Sequence, residues 1–123
     1  MIFAENAPAA IGPYCHATQA GNTFYISGQV PFHPQSGEVV GATMAEQAAQ
    51  VFKNLKAVLD AVGLSPGNIA KTTCFISDFS LFGEFNTAYA EFMGKHKPAR
   101  ACVEVARLPR DVLVEIDAIA VTD

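Results

Sequence analysis

The chain has 123 residues and a formal net charge of −4, with 50% hydrophobic and 16% charged residues. That length suits a single domain over residues 1–123, and an acidic balance without any basic run argues against nucleic-acid binding. Charged residues fall well below the usual share of about 25%, so a lone copy would expose much apolar area and a second buried surface between identical subunits is expected.

The N-terminal stretch "MIFAENAPAAIGPY" lacks the charged start and long apolar core of a signal peptide. No apolar run nears the roughly 18 residues of a membrane span. A cytoplasmic protein without membrane contact is expected. Cys15, Cys74 and Cys102 are an odd number at wide spacing, which is no disulfide framework. There is no C-x-x-C or H-E-x-x-H, and His16, His33 and His96 lie far apart, so no metal site is expected. Cys15 and His16 are not a nucleophile and its base, because neighbours in an extended segment point to opposite faces.

Residues 21–30, "GNTFYISGQV", open with a turn pair and continue as a β-rich strand. The loop "PFHPQSGE" follows, broken by prolines and glycine. Thr43 and Glu46 form the T-x-x-E of a capping box. Behind it, Met44, Ala48, Val51, Phe52, Leu55, Val58, Leu59 and Val62 trace one helical stripe, and Gly63 supplies the stop. "NIAKTTCFIS" (68–77) reads as a strand. A second helix is predicted from near Asp78 or Ser80, burying Phe82, Phe85, Tyr89, Phe92 and Met93, and ending before "GKHKPA". Two strands close the chain, over 99–108 and 112–121.

This order predicts an α+β fold, a sheet with two helices over one face. The last two strands are apolar on both alternating sides, so both faces need cover. With no third helix, other subunits must cover the second face.

Several residues could carry chemistry. Arg100 has the planar fork that matches a carboxylate, or is a solvated strand-end charge. Glu115, between Val114 and Ile116, must be paired, hydrogen-bonded or facing a cavity; Asp117 shares its side of the strand. Tyr14 follows a rigid Gly12-Pro13 turn and either packs or faces a pocket. Asn86 falls among the aromatics of the second helix. Ser27 and Gly28 end a strand, where the glycine either bulges the strand or admits close approach.

The stretches "ENAPAAIGPY" (5–14), "ISGQVP" (26–31), "EQAAQVFKNLKAVLDAVG" (46–63), "KTTCFISD" (71–78), "FNTAYAEF" (85–92) and "PARACVEVARLPRDVLVEIDAIAV" (98–121) resemble the RidA family, also called YjgF-type reactive intermediate deaminases. The resemblance covers nearly the whole chain, and its C-terminal signature is long and specific. It implies a chorismate-mutase-like α+β fold and a homotrimer with clefts at the subunit interfaces. It also implies hydrolysis of 2-imino acids, released by enzymes such as threonine and serine dehydratases, to 2-keto acids and ammonia without metal or cofactor. By the same resemblance Arg100 binds the carboxylate and Glu115 positions water. Tyr14, Ser27, Gly28, Asn86 and Cys102 then line the pocket. Cys15-His16 after Tyr14 departs from many members. A keto-acid-binding module without turnover is the alternative, and an endoribonuclease or translation inhibitor is disfavoured by the acidic charge.

If "LPRD" makes a tight turn centred on Pro109 and Arg110, then Glu104 faces Glu115 and Arg100 faces Ile119. Arg100 and Glu115 would share a face of the sheet, roughly 13 Å apart along it. That is too far for direct contact around one small ligand, so a shared pocket would need side chains reaching inward, a longer turn that shifts the register, or two subunits donating one residue each, of which the last is favoured.

Overall fold

The sheet is organised around its last strand. In the computed structural model, which describes residues 1–123, five strands lie in the order β1-β2-β5-β3-β4. They are β1 (Ala17–Ala20), β2 (Thr23–Gln29), β3 (Ile69–Ile76), β4 (Ala99–Glu104) and β5 (Val114–Val121). β5 runs antiparallel to both of its neighbours, β2 and β3, while β4 runs parallel to β3. Two helices, α1 (Met44–Ala61) and α2 (Phe82–Met93), complete the predicted α+β arrangement.

Local chemistry sets the boundaries. Gly21 (φ 60°) begins the two-residue turn between β1 and β2, where a positive φ matches the twist of the paired strands. At α1 the Glu46 N–H donates to Thr43 Oγ1 (3.2 Å) and the Thr43 N–H donates to Glu46 Oε1 (3.1 Å), the expected capping box. Asp78 accepts the Ser80 N–H and starts a short 3₁₀ turn, Phe79–Leu81, so α2 proper begins a few residues later than predicted. β1 has no clear signal in its sequence, because three of its four residues, Thr18, Gln19 and Ala20, are exposed.

Helices and sheet enclose one core. Val114, Ile116, Ala118 and Ala120 of β5, Ile69, Cys74 and Ile76 of β3, and Phe24 and Ile26 of β2 meet the α1 stripe and Phe85, Tyr89 and Met93 of α2. At about 25 cal/mol per Å² of buried apolar area, a core of this kind is the main favourable term in folding. The opposite face of the sheet carries no helix. There Tyr25 is 49% exposed, Val103 44% and Val121 40%.

The predicted pairing of the last two strands is wrong. β4 does not form a hairpin with β5, because β3 lies between them. Helix α2 carries the chain from β3 back to β4 as a crossover, which forces a parallel pair, whereas the hairpin reading assumed that sequence neighbours are spatial neighbours. "LPRD" is instead a 3₁₀ turn over Pro109–Asp111 in a longer connection, with Arg110 (φ 52°) and Asp111 (φ 55°) both left-handed. β4 accordingly ends at Glu104 and β5 begins at Val114.

A buried polar network on α1 fixes the walls around this sheet. Asn54, fully buried, donates to the Val30 and Phe32 carbonyls (2.8 and 3.0 Å) and accepts from Gln50 (2.9 Å). Gln47 accepts the Leu113 N–H at 2.8 Å and donates to the Gly41 carbonyl at 3.1 Å. Asn54→Leu should destabilise the protein by about 2 kcal/mol, because it strands a buried carbonyl acceptor. Denaturant unfolding would measure this, and a loss below about 0.5 kcal/mol would show that the network is dispensable.

Candidate active site

Two clusters of polar side chains emerge, one at a β-bulge in β2 and the other where β4 lies over α2. The first lies at the end of β2. Between Ile26, opposite Ala118, and Gln29, opposite Ile116, β2 holds one residue more than β5. Ser27 and Gly28 therefore form a β-bulge. Ser27 donates its hydroxyl to the Cys15 carbonyl at 2.7 Å and its N–H to the His16 carbonyl at 3.0 Å, which pins the segment bearing Tyr14 against the strand. Tyr14, Ser27, Gly28 and Glu115 line one cavity of about 340 Å³ with Ile11, Val30, Phe32 and Pro109.

Gly28 is needed for space. Its backbone is not left-handed, but a Cβ there would collide with Glu115 Oε2 and lie 3.0 Å from Cδ. The missing side chain is what admits the Glu115 carboxylate. Burial of the half-buried Glu115, and then the charge of Asp117 two residues on, push its carboxyl above the ordinary value. Glu115 is therefore a better proton carrier than a solvated glutamate. The left-handed pair Arg110–Asp111 adjoins Pro109 at the rim. Its strain is held by the Arg110 Nη1 donating to the Gly37 carbonyl at 2.7 Å, with Cζ 5.0 Å above the Phe32 ring.

His16 also reaches this cavity, but both ring nitrogens are occupied. Nδ1 accepts the Ala4 N–H (2.8 Å), so Nε2 carries the proton given to the Pro8 carbonyl (2.7 Å). Cys15 Sγ donates to the Ala17 carbonyl at 3.3 Å. The two side chains do not act on one another, as the alternation along an extended segment predicts.

The second cluster lies on edge strand β4 over α2. Arg100 Nη1 donates to Asn86 Oδ1 at 2.7 Å. Its Cζ sits 4.7 Å from the Tyr89 ring centroid and 5.5 Å from that of Phe82. Cys102 follows on the same side of β4; its thiol is pushed up, chiefly by burial and against the pull of Arg100. It stays protonated at neutral pH, and a protonated thiol is a poor nucleophile. Cys74, in register with it on β3, is pushed up to about 12 by burial.

The two clusters do not meet within one chain. Arg100 is in register with Thr72, and Thr72 with Ala118, all on the helix-covered side. Glu115 pairs with Phe75, three residues further along, and points to the other side. The separation is roughly 10 Å along the strands and roughly 10 Å across them. The expectation that Arg100 and Glu115 share a face is therefore overturned, because β3 intervenes and reverses the parity that a hairpin would have given. One cavity gathers Tyr14, Ser27, Gly28 and Glu115; Asn86, Arg100 and Cys102 lie elsewhere.

Sequence reasoning treated Tyr89 and Phe82 only as core residues. Their spacing with Asn86, at i, i+4 and i+7 on one stripe of α2, was the signal that all three meet the same strand.

Comparison with known proteins adds independent findings. A family model described as endoribonuclease L-PSP matches residues 4–122. The chain is 51% identical over 123 residues to the 2-iminobutanoate/2-iminopropanoate deaminase of Escherichia coli K12, covering 98% of this chain and 95% of that one. The crystal structure of the Escherichia coli YjgF gene product superposes with a TM-score of 0.93 at 50% identity, over 99% of this chain and 98% of that one. Escherichia coli TdcF with bound serine gives a TM-score of 0.92 at 45% identity, over 97% and 95% of the two chains.

Gly28→Ala tests the cavity's construction. It should turn the Glu115 carboxylate out of its place, visible by crystallography. The melting temperature should stay within about 4 °C of wild type, because only the end of a flexible side chain has to yield. An unmoved Glu115 with a displaced β2 would show that the bulge, and not the carboxylate, is the soft element.

Proposed function

This chain belongs to the L-PSP family, also known as RidA or YjgF, and from that premise we propose that it hydrolyses 2-imino acids to 2-keto acids and ammonia. The observation that carries this reading is the chemistry of the two clusters. One presents a guanidinium fork, and the other a half-buried carboxyl at the wall of a largely apolar cavity. A 2-imino acid needs both, since it carries a planar carboxylate beside an electrophilic C=N.

The Asn86 side chain occupies one Nη1 donor of Arg100, and the remaining N–H groups of the fork suit a carboxylate. Binding there fixes the direction of the C=N bond and brings it to the water. Glu115 takes a proton from that water as its oxygen bonds to the imine carbon, and the C=N π pair moves to nitrogen. Glu115 returns that proton to nitrogen, which gives a neutral carbinolamine. Glu115 then takes the carbinolamine hydroxyl proton and passes it to the same nitrogen as the C=O forms, the C–N bond breaks and ammonia leaves. Atoms balance as imine plus water giving keto acid plus ammonia.

Because Arg100 and Glu115 lie on opposite faces of one sheet, the reaction requires two chains, each supplying one cluster. The helix-free face, with Tyr25, Val103 and Val121 exposed, is the surface through which a homotrimer would bring them together. A partner guanidinium arriving near Glu115 would favour its charged form and draw the raised pKa back down. The serine bound to TdcF is an amino acid with the same carboxylate. An RNA substrate fits less well, given the net charge of −4 and the lack of a basic groove.

The test generates imines in place with an amino-acid oxidase and follows their decay. The wild type should accelerate decay, and Glu115→Gln should lose about 10²-fold or more in kcat while still binding 2-keto acids. Arg100→Ala should lose both functions, and Arg100→Lys should restore little, because an ammonium cannot reproduce the fork. Undiminished turnover by Glu115→Gln, or keto-acid binding without turnover by the wild type, would replace the enzyme with a binding module.

A further inference from the structure

An arginine on an exposed edge strand has many rotamers open to it, yet Arg100 is met on several sides. Its register partner Thr72 is fully buried, and the Thr72 hydroxyl and the Tyr89 hydroxyl lie 2.7 Å apart in a hydrogen bond closed to solvent. Tyr89 is also held by Phe52 (centroids 5.9 Å apart, planes at 71°) and Phe85 (5.9 Å, 53°), so its ring cannot turn freely. The fixed ring lies 4.7 Å from the Arg100 Cζ. Phe82, stacked on Phe79 at 5.0 Å, approaches the same Cζ at 5.5 Å, and Asn86 accepts from Nη1 at 2.7 Å. A flat cation on two aromatic rings, with one N–H engaged, is held both in plane and in rotation.

We infer that Tyr89, tethered through its hydroxyl to Thr72, is a positioning residue that fixes the plane of the Arg100 guanidinium for the ligand's carboxylate. This inference rests on the proposed role of Arg100 in binding 2-imino and 2-keto acids. Its content is preorganisation: a fork already set in place loses less freedom when a carboxylate docks. Burial pushes the Tyr89 phenol above its ordinary value, so the tether stays uncharged beside the cation. Tyr89 touches neither the reacting carbon nor the water, so its removal should affect binding far more than the chemical step.

The experiment compares wild type, Tyr89→Phe, Tyr89→Leu and Thr72→Val by calorimetric titration with 2-oxobutanoate and by imine-decay kinetics. Tyr89→Leu removes ring and tether, and should weaken 2-oxobutanoate binding and raise KM by about 10-fold, with kcat within about threefold. Tyr89→Phe keeps the ring and loses only the tether, while Thr72→Val keeps the volume and loses the tether together with the 3.9 Å contact from the Cys74 thiol; each should raise KM by about threefold. These two variants carry the test if Tyr89→Leu does not fold. Wild-type KM and affinity in the folded variants would overturn the clamp, as would a fall in kcat at unchanged KM. A wild type that binds no 2-oxobutanoate would overturn the proposed function and this inference with it, whereas a binding wild type matched by its variants overturns the clamp alone.

Discussion

A β-strand sends alternate side chains to opposite faces, and at β5 that rule governs the whole molecule. The strand sits in the middle of the sheet and sends Val114, Ile116, Ala118 and Ala120 beneath the helices. Its other side carries Glu115, Asp117, Ile119 and Val121, and has no helix of its own chain above it. A central strand with useful residues on both sides cannot be satisfied by one layer of helices. The core accounts for one side of β5, and the functional proposal concerns the other.

The same alternation divides the charged residues. Arg100 belongs to the helix side, where the crossover through α2 gives it Asn86, Tyr89 and Phe82. Glu115 belongs to the open side, where the bulge at Ser27–Gly28 leaves room for it. Each group has a support that does not depend on the other. Under the proposed function an isolated chain holds two incomplete sites, which assembly with other copies would complete.

Much of this was legible in the sequence, for reasons that are local. The capping box at Thr43 and Glu46, the stripe of α1 and the two-sided apolarity of the last strands depend on residues close together in the chain. Arg100, Glu115, Tyr14, Asn86 and the Ser27-Gly28 pair stood out as candidates from side-chain chemistry and from a family resemblance. The pairing of β4 was not legible. Nothing in "LPRD" reveals that β3 will lie between the two strands it joins, and two consecutive left-handed residues at Arg110 and Asp111 run against intrinsic preference. That single error placed Arg100 and Glu115 on one face. The Asn54 network and the Thr72–Tyr89 tether were hidden for a related reason, since each joins segments far apart in sequence.

Under the proposed function, one working site takes Arg100 from one chain and Glu115 from another. Inactive Arg100→Ala and inactive Glu115→Ala proteins, mixed in equal amounts, unfolded together and reassembled, test it most directly. Random assembly places an intact Arg100 beside an intact Glu115 of a neighbouring chain in about one quarter of the sites, so about a quarter of wild-type imine hydrolysis should return. Subunit exchange is verified with differently tagged chains. No recovery despite proven exchange would mean that each chain completes its own site, contradicting the account.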